Sequence, residues 1–285
     1  MRITINEEKA RKLGRLLYNI GLEKILLLEE RDPQLHAISR VSGSTSTGWA
    51  AVTASLVGLV SYRLTLKGEE WWSCYGEYFS DQKELSLQEA YDKVISFIDE
   101  CKGAAIQRDA KKNRIKRVFR GARRALETLY SQPQRILASG SWLLNSYSRA
   151  LKQEPWRKTI AFSVKMAYYA VRSQQKHPVP APWDVPVPVD LRVSCITYSS
   201  GIVKADDWRD IMRDPRPAIK AWSIVAEESR IPALNIDSLL WMIGSAPRTN
   251  SDVNEVQHQV YGRLYPVLGP RAYDLSRLLI TEPCR

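Results

Sequence analysis

The residue types best suited to covalent chemistry in this 285-residue chain stand between Trp156 and Gly201. Lys158 supplies an amine that is a nucleophile when unprotonated, and Asp190 a carboxylate able to stabilise positive charge on a reacting carbon. Lys165 follows Lys158 by seven residues. That is about 10 Å along a helix axis, where its charge is expected to repel the proton on the Lys158 amine. The elements needed to hold these groups are legible around them. Ile160, Val164, Ala167, Tyr168 and Val171 recur at helical spacing and form a core-facing stripe, leaving Lys158, Phe162 and Lys165 on another face. Pro178, Pro180, Pro182, Pro186 and Pro188 forbid continued helix and favour an extended connector. Asp190 then precedes the amphipathic run LRVSCITYSSGI, where aspartate is a favoured N-cap. Singly, each residue has an ordinary explanation: a lysine on a helix is usually solvated, and an aspartate before one is usually its cap. Together they give an amine, a stiff connector and a carboxylate at a helix start, which could meet in one cleft.

The pattern Lys158, Thr159, Phe162 and Lys165, followed by Pro186, Pro188, Val189, Asp190, Arg192 and Val193, resembles the core of the archaeal 8-oxoguanine DNA glycosylases. These form a branch of the helix-hairpin-helix glycosylase superfamily. The separation of 32 residues between Lys158 and Asp190 fits that branch rather than members with a shorter loop. Three further segments resemble the family in the same order: Glu30 to Gln34 (ERDPQ), Ser61 to Trp72 (SYRLTLKGEEWW), and IPALNIDSLLWMIG with Asp237 and Trp241. The motifs together span roughly residues 10 to 245.

The resemblance implies an all-α, helix-hairpin-helix glycosylase-like fold of two helical subdomains flanking a DNA-binding cleft. Residues 1–47 with 186–285 would form one subdomain and 48–185 the other. It implies a bifunctional enzyme of base excision repair that excises 8-oxoguanine from double-stranded or single-stranded DNA and then cleaves the strand as a lyase, acting as a monomer. Breaking the N-glycosidic bond builds positive charge on the sugar. Lys158 would capture C1′ as a Schiff base, and Asp190 would stabilise the charge. The implied base pocket comprises Gln34, Ser61, Trp72, Phe162, Lys165, Pro188, Asp237 and Trp241. The lesion adds an N7–H donor to guanine, so an acceptor that it satisfies stays unpaired when guanine enters, a loss of roughly 1–3 kcal/mol. The hairpin is expected between Ser146 and Lys158. Its turn, KQEPW, lacks the glycines whose amides usually hold a phosphate, so Lys152 and Arg157 are expected to contribute side chains instead.

Composition agrees with a polyanionic partner. Lys and Arg number 42 against 31 Asp and Glu, a formal charge of +11, which points to nucleic acid before a membrane surface. Lys111, Lys112, Arg114, Lys116, Arg117, Arg120, Arg123 and Arg124 follow one another without an acidic residue, and Ile115, Val118, Phe119, Ala122 and Leu126 give the same helix its buried stripe. That basic face reads equally as solvated surface or as a contact with the DNA backbone, where each phosphate neutralised adds about 0.9 to the salt slope. Cys74, Cys101, Cys195 and Cys284 form no C-x-x-C pair, and with only His36, His177 and His258 beside them no metal or other cofactor is expected. No apolar run reaches the roughly 18 residues of a membrane span, and MRITINEEKARK lacks the apolar core of a secretory signal; an intracellular, DNA-associated location is expected.

Helices are expected over Asn6 to Leu28 with a break at Gly21, and over Val52 to Leu66, Leu85 to Cys101 and Arg114 to Tyr130. Ser42 to Gly48 reads as a loop and subdomain boundary. Asp237 by itself reads as the N-cap of SLLWMIG. The tail beyond Ala246 reads as two helices parted near Gly269 and Pro270, departing from the family pattern. Two other functions fit: a glycosylase for another damaged base, and a helical DNA-binding protein without catalysis.

Overall fold

Asn6 accepts the Lys9 N–H on its side chain at 3.1 Å and starts α1 (Glu7–Ile20); Gly21, at φ 90°, turns the chain at once into α2 (Leu22–Glu29). This computed structural model describes residues 3–81, 86–249 and 252–284. The chain divides into two units, Met1–Glu29 with Pro186–Arg285 and Glu30–Val185. The first boundary therefore falls at Glu29 and not at residue 47. The next helix, α3 (Pro33–Ser44), is opened by the Asp32 cap and by Pro33 in its first turn, and it packs on helices of the middle unit.

The middle unit is built around α4 (Thr47–Leu59), whose residues from Gly48 to Leu59 are all buried. Around it stand α5 (Gly68–Ser80), α6 (Leu87–Glu100), α7 (Arg108–Gly121), α8 (Arg123–Ser131), α9 (Arg135–Ala138), α10 (Ser141–Leu151) and α11 (Lys158–Arg172). Helices α4 and α11 cross so closely that a Cβ at Gly58 would lie 2.9 Å from Ser163 Cα. Local hydrogen bonds explain where the observed elements differ from the expected ones. The loop expected over Ser42 to Gly48 shrinks to Thr45 and Ser46, because the Thr45 hydroxyl donates to Val41 O at 2.8 Å and Ser46 caps α4 through the Trp49 N–H at 3.3 Å. Helix α4 stops at Leu59 rather than Leu66. The Ser61 hydroxyl donates to Val57 O at 2.9 Å and accepts from Trp71 Nε1 at 2.9 Å, fixing a non-helical segment before α5. The single helix expected over Arg114 to Tyr130 is two, α7 and α8, parted at Ala122. Ser86 starts α6 with a capping box to Glu89; Leu85, where that helix was expected to start, lies outside the described residues.

The remaining helices complete the other unit: α12 (Leu191–Ser199), α13 (Trp208–Arg213), α14 (Arg216–Ser229), α15 (Ala233–Ile243), α16 (Ala246–Thr249), α17 (Val253–Leu268) and α18 (Arg271–Leu279). A two-residue ladder, β1 (Thr4–Ile5) antiparallel to β2 (Val203–Lys204), sets Ile5 opposite Val203. Leu13, Leu17, Ile196, Trp222, Leu240, Leu264 and Leu275 belong to one apolar core, so chain start and chain end share a hydrophobic centre. Helices α17 and α18 part at Gly269, φ 60°, followed by Pro270, as expected. A disulfide joins Cys195 to Cys284 across a Cα separation of 5.5 Å and ties the chain end to α12. Cysteine spacing gave no sign of it, because pairing of distant cysteines is set by the fold. Among the described residues no helix is long and apolar enough to cross a membrane.

Candidate active site

Lys158 is the first residue of α11 and half-buried. It lines an open hollow of about 770 Å³ with Tyr62, Arg114, Lys152, Arg157 and Thr159. The turn beside it lies where the hairpin was expected. Lys152 ends α10 at φ 52°, a conformation that glycine usually supplies. The N–H of Lys152 donates to Arg149 O at 3.2 Å and that of Gln153 to Ser148 O at 3.1 Å, so the turn closes without glycine.

Further along α11, Phe162 meets Trp72 of α5 edge-on at 6.0 Å between centroids. Lys165 is 1% exposed, with its Nζ 3.9 Å from Asp32 Oδ2 and over the Tyr169 ring at 5.2 Å. Asp32 also accepts the Tyr169 hydroxyl at 2.7 Å and the Gln34 N–H at 2.9 Å. This revises the part expected of Lys165: a cation paired with a buried carboxylate exerts little net repulsion on another amine. Gln34 is 3% exposed, and its Oε1 is buried without a hydrogen-bond partner. Ser61 faces inward, its hydroxyl engaged with Val57 and Trp71 as described.

In the other unit, Asp190 is the N-cap that the sequence predicted: Oδ1 accepts the N–H groups of Arg192 at 2.8 Å and Val193 at 2.9 Å. That fixes the carboxylate on the axis of α12, with buried Pro188 two residues before it. The Arg192 guanidinium stacks 4.2 Å over the half-buried Trp241 ring and donates to Trp241 O at 3.3 Å. Gly244 allows this approach, since a Cβ there would lie 2.5 Å from Arg192 Cβ. Asp237 is not a cap. Helix α15 already starts at Ala233, which leaves Asp237 buried inside it. On the same helix, Ser238 donates to buried Glu29 at 2.7 Å and Asn235 at 3.1 Å, a network that no sequence motif announced.

The basic run divides. Lys116, Arg117, Arg120 and Arg124 are exposed on α7 and α8, as are Lys152 and Arg157 at the hairpin. Lys112 is held at 2.8 Å by Asp99, and Arg123 lies 4.6 Å over the Phe119 ring with Glu127 at 2.9 Å. Lys111 and Arg114 leave the exposed face of α7. Lys111 is fully buried and donates to Ala104 O at 3.4 Å, and Arg114 turns inward to Gln153 and Thr159. Their spacing carried the warning: with Ile115 and Val118 they fall at helical repeats of the buried face. Asp32, Tyr169, Glu29 and Asn235 were missed as site neighbours. Only Asp32, before Pro33 at a helix start, left a local signal.

A family model described as AGOG, N-glycosylase/DNA lyase, matches residues 14–269. The N-glycosylase/DNA lyase of Aeropyrum pernix is 37% identical over 281 residues, covering 97% of this chain and 96% of that protein. That of Pyrobaculum aerophilum is 30% identical over 254 residues, covering 89% and 93%. The crystal structure of Pa-AGOG, the 8-oxoguanine DNA glycosylase from Pyrobaculum aerophilum complexed with 8-oxoguanosine, matches with a TM-score of 0.75. Identity there is 27%, over 98% of this chain and 99% of that one. The chain belongs to the AGOG family of N-glycosylase/DNA lyases. The family match runs on through α17, so that part of the tail does have a family counterpart.

Proposed function

We propose that this chain excises 8-oxoguanine from DNA and then nicks the strand, with Lys158 as nucleophile. Neutral Lys158 Nζ attacks C1′ and the N-glycosidic bond breaks with its electron pair leaving on the base, which takes up the proton that the amine gives up. The C1′–O4′ bond then breaks, O4′ takes a proton, and the opened sugar is held at C1′ as a protonated imine. Loss of a C2′ proton then expels the 3′ phosphate. The Asp190 carboxylate, fixed by two backbone N–H groups, stabilises the positive charge on the sugar as the base departs. The observation that carries this reading is the placement of Lys158 at the first turn of α11, in a hollow where Arg114, Lys152 and Arg157 outnumber the single carboxylate of Glu154. The amine stands where a phosphodiester backbone is attracted.

The buried, unpartnered Oε1 of Gln34 supports the choice of substrate. An acceptor kept dry and unpaired favours the base that brings an extra N7–H donor, by roughly 1–3 kcal/mol over guanine. Phe162 and Trp241 offer aromatic faces for a base flipped from the stack, and Lys165 with Asp32 offers a donor and an acceptor for its edges. Pro188 and Asp237 line the pocket in this reading, while Ser61 and Trp72 shape its wall. Exposed Lys116, Arg117, Arg120, Arg124, Lys152 and Arg157 bind the backbone of duplex or single-stranded DNA, and the protein acts as a monomer. The test is base release and nicking on otherwise identical duplexes bearing 8-oxoguanine, uracil, hypoxanthine, an alkylated purine or guanine. Preference for 8-oxoguanine supports the assignment. Faster release of another lesion would move the chain to that substrate.

A further inference from the structure

Arg114 is 7% exposed, and no carboxylate among the described residues pairs with it. Its guanidinium donates from one terminal nitrogen to Gln153 Oε1 at 3.0 Å, in the hairpin turn, and from the other to Thr159 Oγ1 at 2.8 Å, the residue after Lys158. Both acceptors are neutral, and Nε has no partner. A buried cation without an anion carries a desolvation penalty that neutral acceptors only partly offset. Burial accordingly pulls the Arg114 pKa down to about 10. The same hollow gathers Arg157, Lys152 and the positive end of the 15-residue α11, against the single carboxylate of Glu154. Two of the five guanidinium N–H groups are engaged by Gln153 and Thr159, so others remain for an oxyanion in the hollow.

We propose that this hollow seats one phosphodiester of the DNA strand, and that Arg114 is the positioning residue linking that seat to Lys158. The phosphate supplies the anion that the buried guanidinium lacks. Through Thr159 and Gln153 the same guanidinium then fixes the first turn of α11, and with it the nucleophile, against the hairpin. The inference rests on DNA being the substrate, but its first test needs no turnover.

The salt dependence of affinity for an undamaged duplex is measured for the full-length wild type, Arg114→Gln, Arg157→Gln and the double variant. Because either guanidinium still neutralises a shared phosphate, each single change is expected to weaken binding while leaving the slope within a few tenths of wild type, and the double variant to lower it by about 0.9. An unchanged slope in the double variant, or single losses near 0.9 that add to about 1.8, would overturn the shared seat. If Arg114→Gln does not fold, Thr159→Val carries the test. It keeps the charge and cuts one anchor, so the slope stays while the single-turnover rate at saturating DNA falls about 10- to 100-fold. An unchanged rate in Thr159→Val would remove the positioning role. Protection against melting by millimolar inorganic phosphate at matched ionic strength, stronger than that given by duplex, would assign the hollow to a free anion and also overturn the proposal. A wild type that binds duplex with the expected slopes yet never releases a base would sink the proposed function alone.

Discussion

Midway along α11, Lys165 meets the carboxylate of Asp32 at 3.9 Å and lies against Tyr169, whereas at the first turn Arg114 finds only the neutral oxygens of Gln153 and Thr159. Both cations are buried. One cation has its own anion; the other opens on a hollow, and no carboxylate among the described residues pairs with it. The difference separates a place built to hold its shape in every state from a place completed by what binds there. A neutral base suits the first, since a pre-paired charge offers hydrogen bonds without demanding a counterion. A phosphate suits the second.

The contrast breaks most readily at Asp32. Asp32→Asn leaves Lys165 buried without its anion and is expected to cost about 3–5 kcal/mol in urea unfolding, most of it recovered by adding Lys165→Met. A loss below about 1 kcal/mol would mean that the pair holds little together. Arg114→Met is the matching experiment at the other end of the comparison. With no ion pair to break and acceptors that face an open hollow, it is expected to change the stability of DNA-free protein by about 1 kcal/mol or less. A larger loss would show that Arg114 already has all the partners it needs.

Smaller effects sharpen the picture at the edges of the hollow. Lys152→Gly relieves the left-handed position at φ 52° and should raise unfolding stability by about 0.5 kcal/mol while weakening DNA affinity. Asp184 ties the connector after α11 to the start of α10, accepting from the Ser139 hydroxyl and from Gly140 N–H at 2.8 Å. Burial alone would raise its pKa, but these hydrogen bonds outweigh it and hold the carboxyl below its ordinary value. A lowered folded value means that the contribution is complete above the unfolded value, about 3.9, and is lost as pH falls through the folded one. The gap in melting temperature between wild type and Asp184→Asn should therefore be open at neutral pH and close as pH falls below about 3.9; a gap independent of pH would contradict this.

What could be read from the chain divides along the same line of local against distant. The cap at Asp190 is local chemistry, a carboxylate bonding N–H groups two and three residues on, and the sequence announces it. The break at Gly21 and the parting at Gly269 and Pro270 are local for the same reason. Asp32 and Lys165 stand far apart in the chain, and nothing in either segment names the other. The same holds for Glu29 with Asn235 and for Cys195 with Cys284. Arg114 is a third case, one of burial rather than of partner. Its position on the buried repeat of α7 was legible, but the charge run around it suggested an outer face, and composition prevailed over periodicity. Family motifs singled out Lys158 and Asp190 as candidates where single-residue chemistry left them ordinary.

The most direct test of the account is borohydride trapping on an 8-oxoguanine duplex, with undamaged duplex as control and Lys158→Ala beside the wild type. A covalent protein–DNA adduct is expected with the lesion duplex alone, and is expected to be lost in Lys158→Ala. An adduct that survives in Lys158→Ala, or none with wild type that binds the lesion duplex tightly, would contradict Lys158 as the nucleophile.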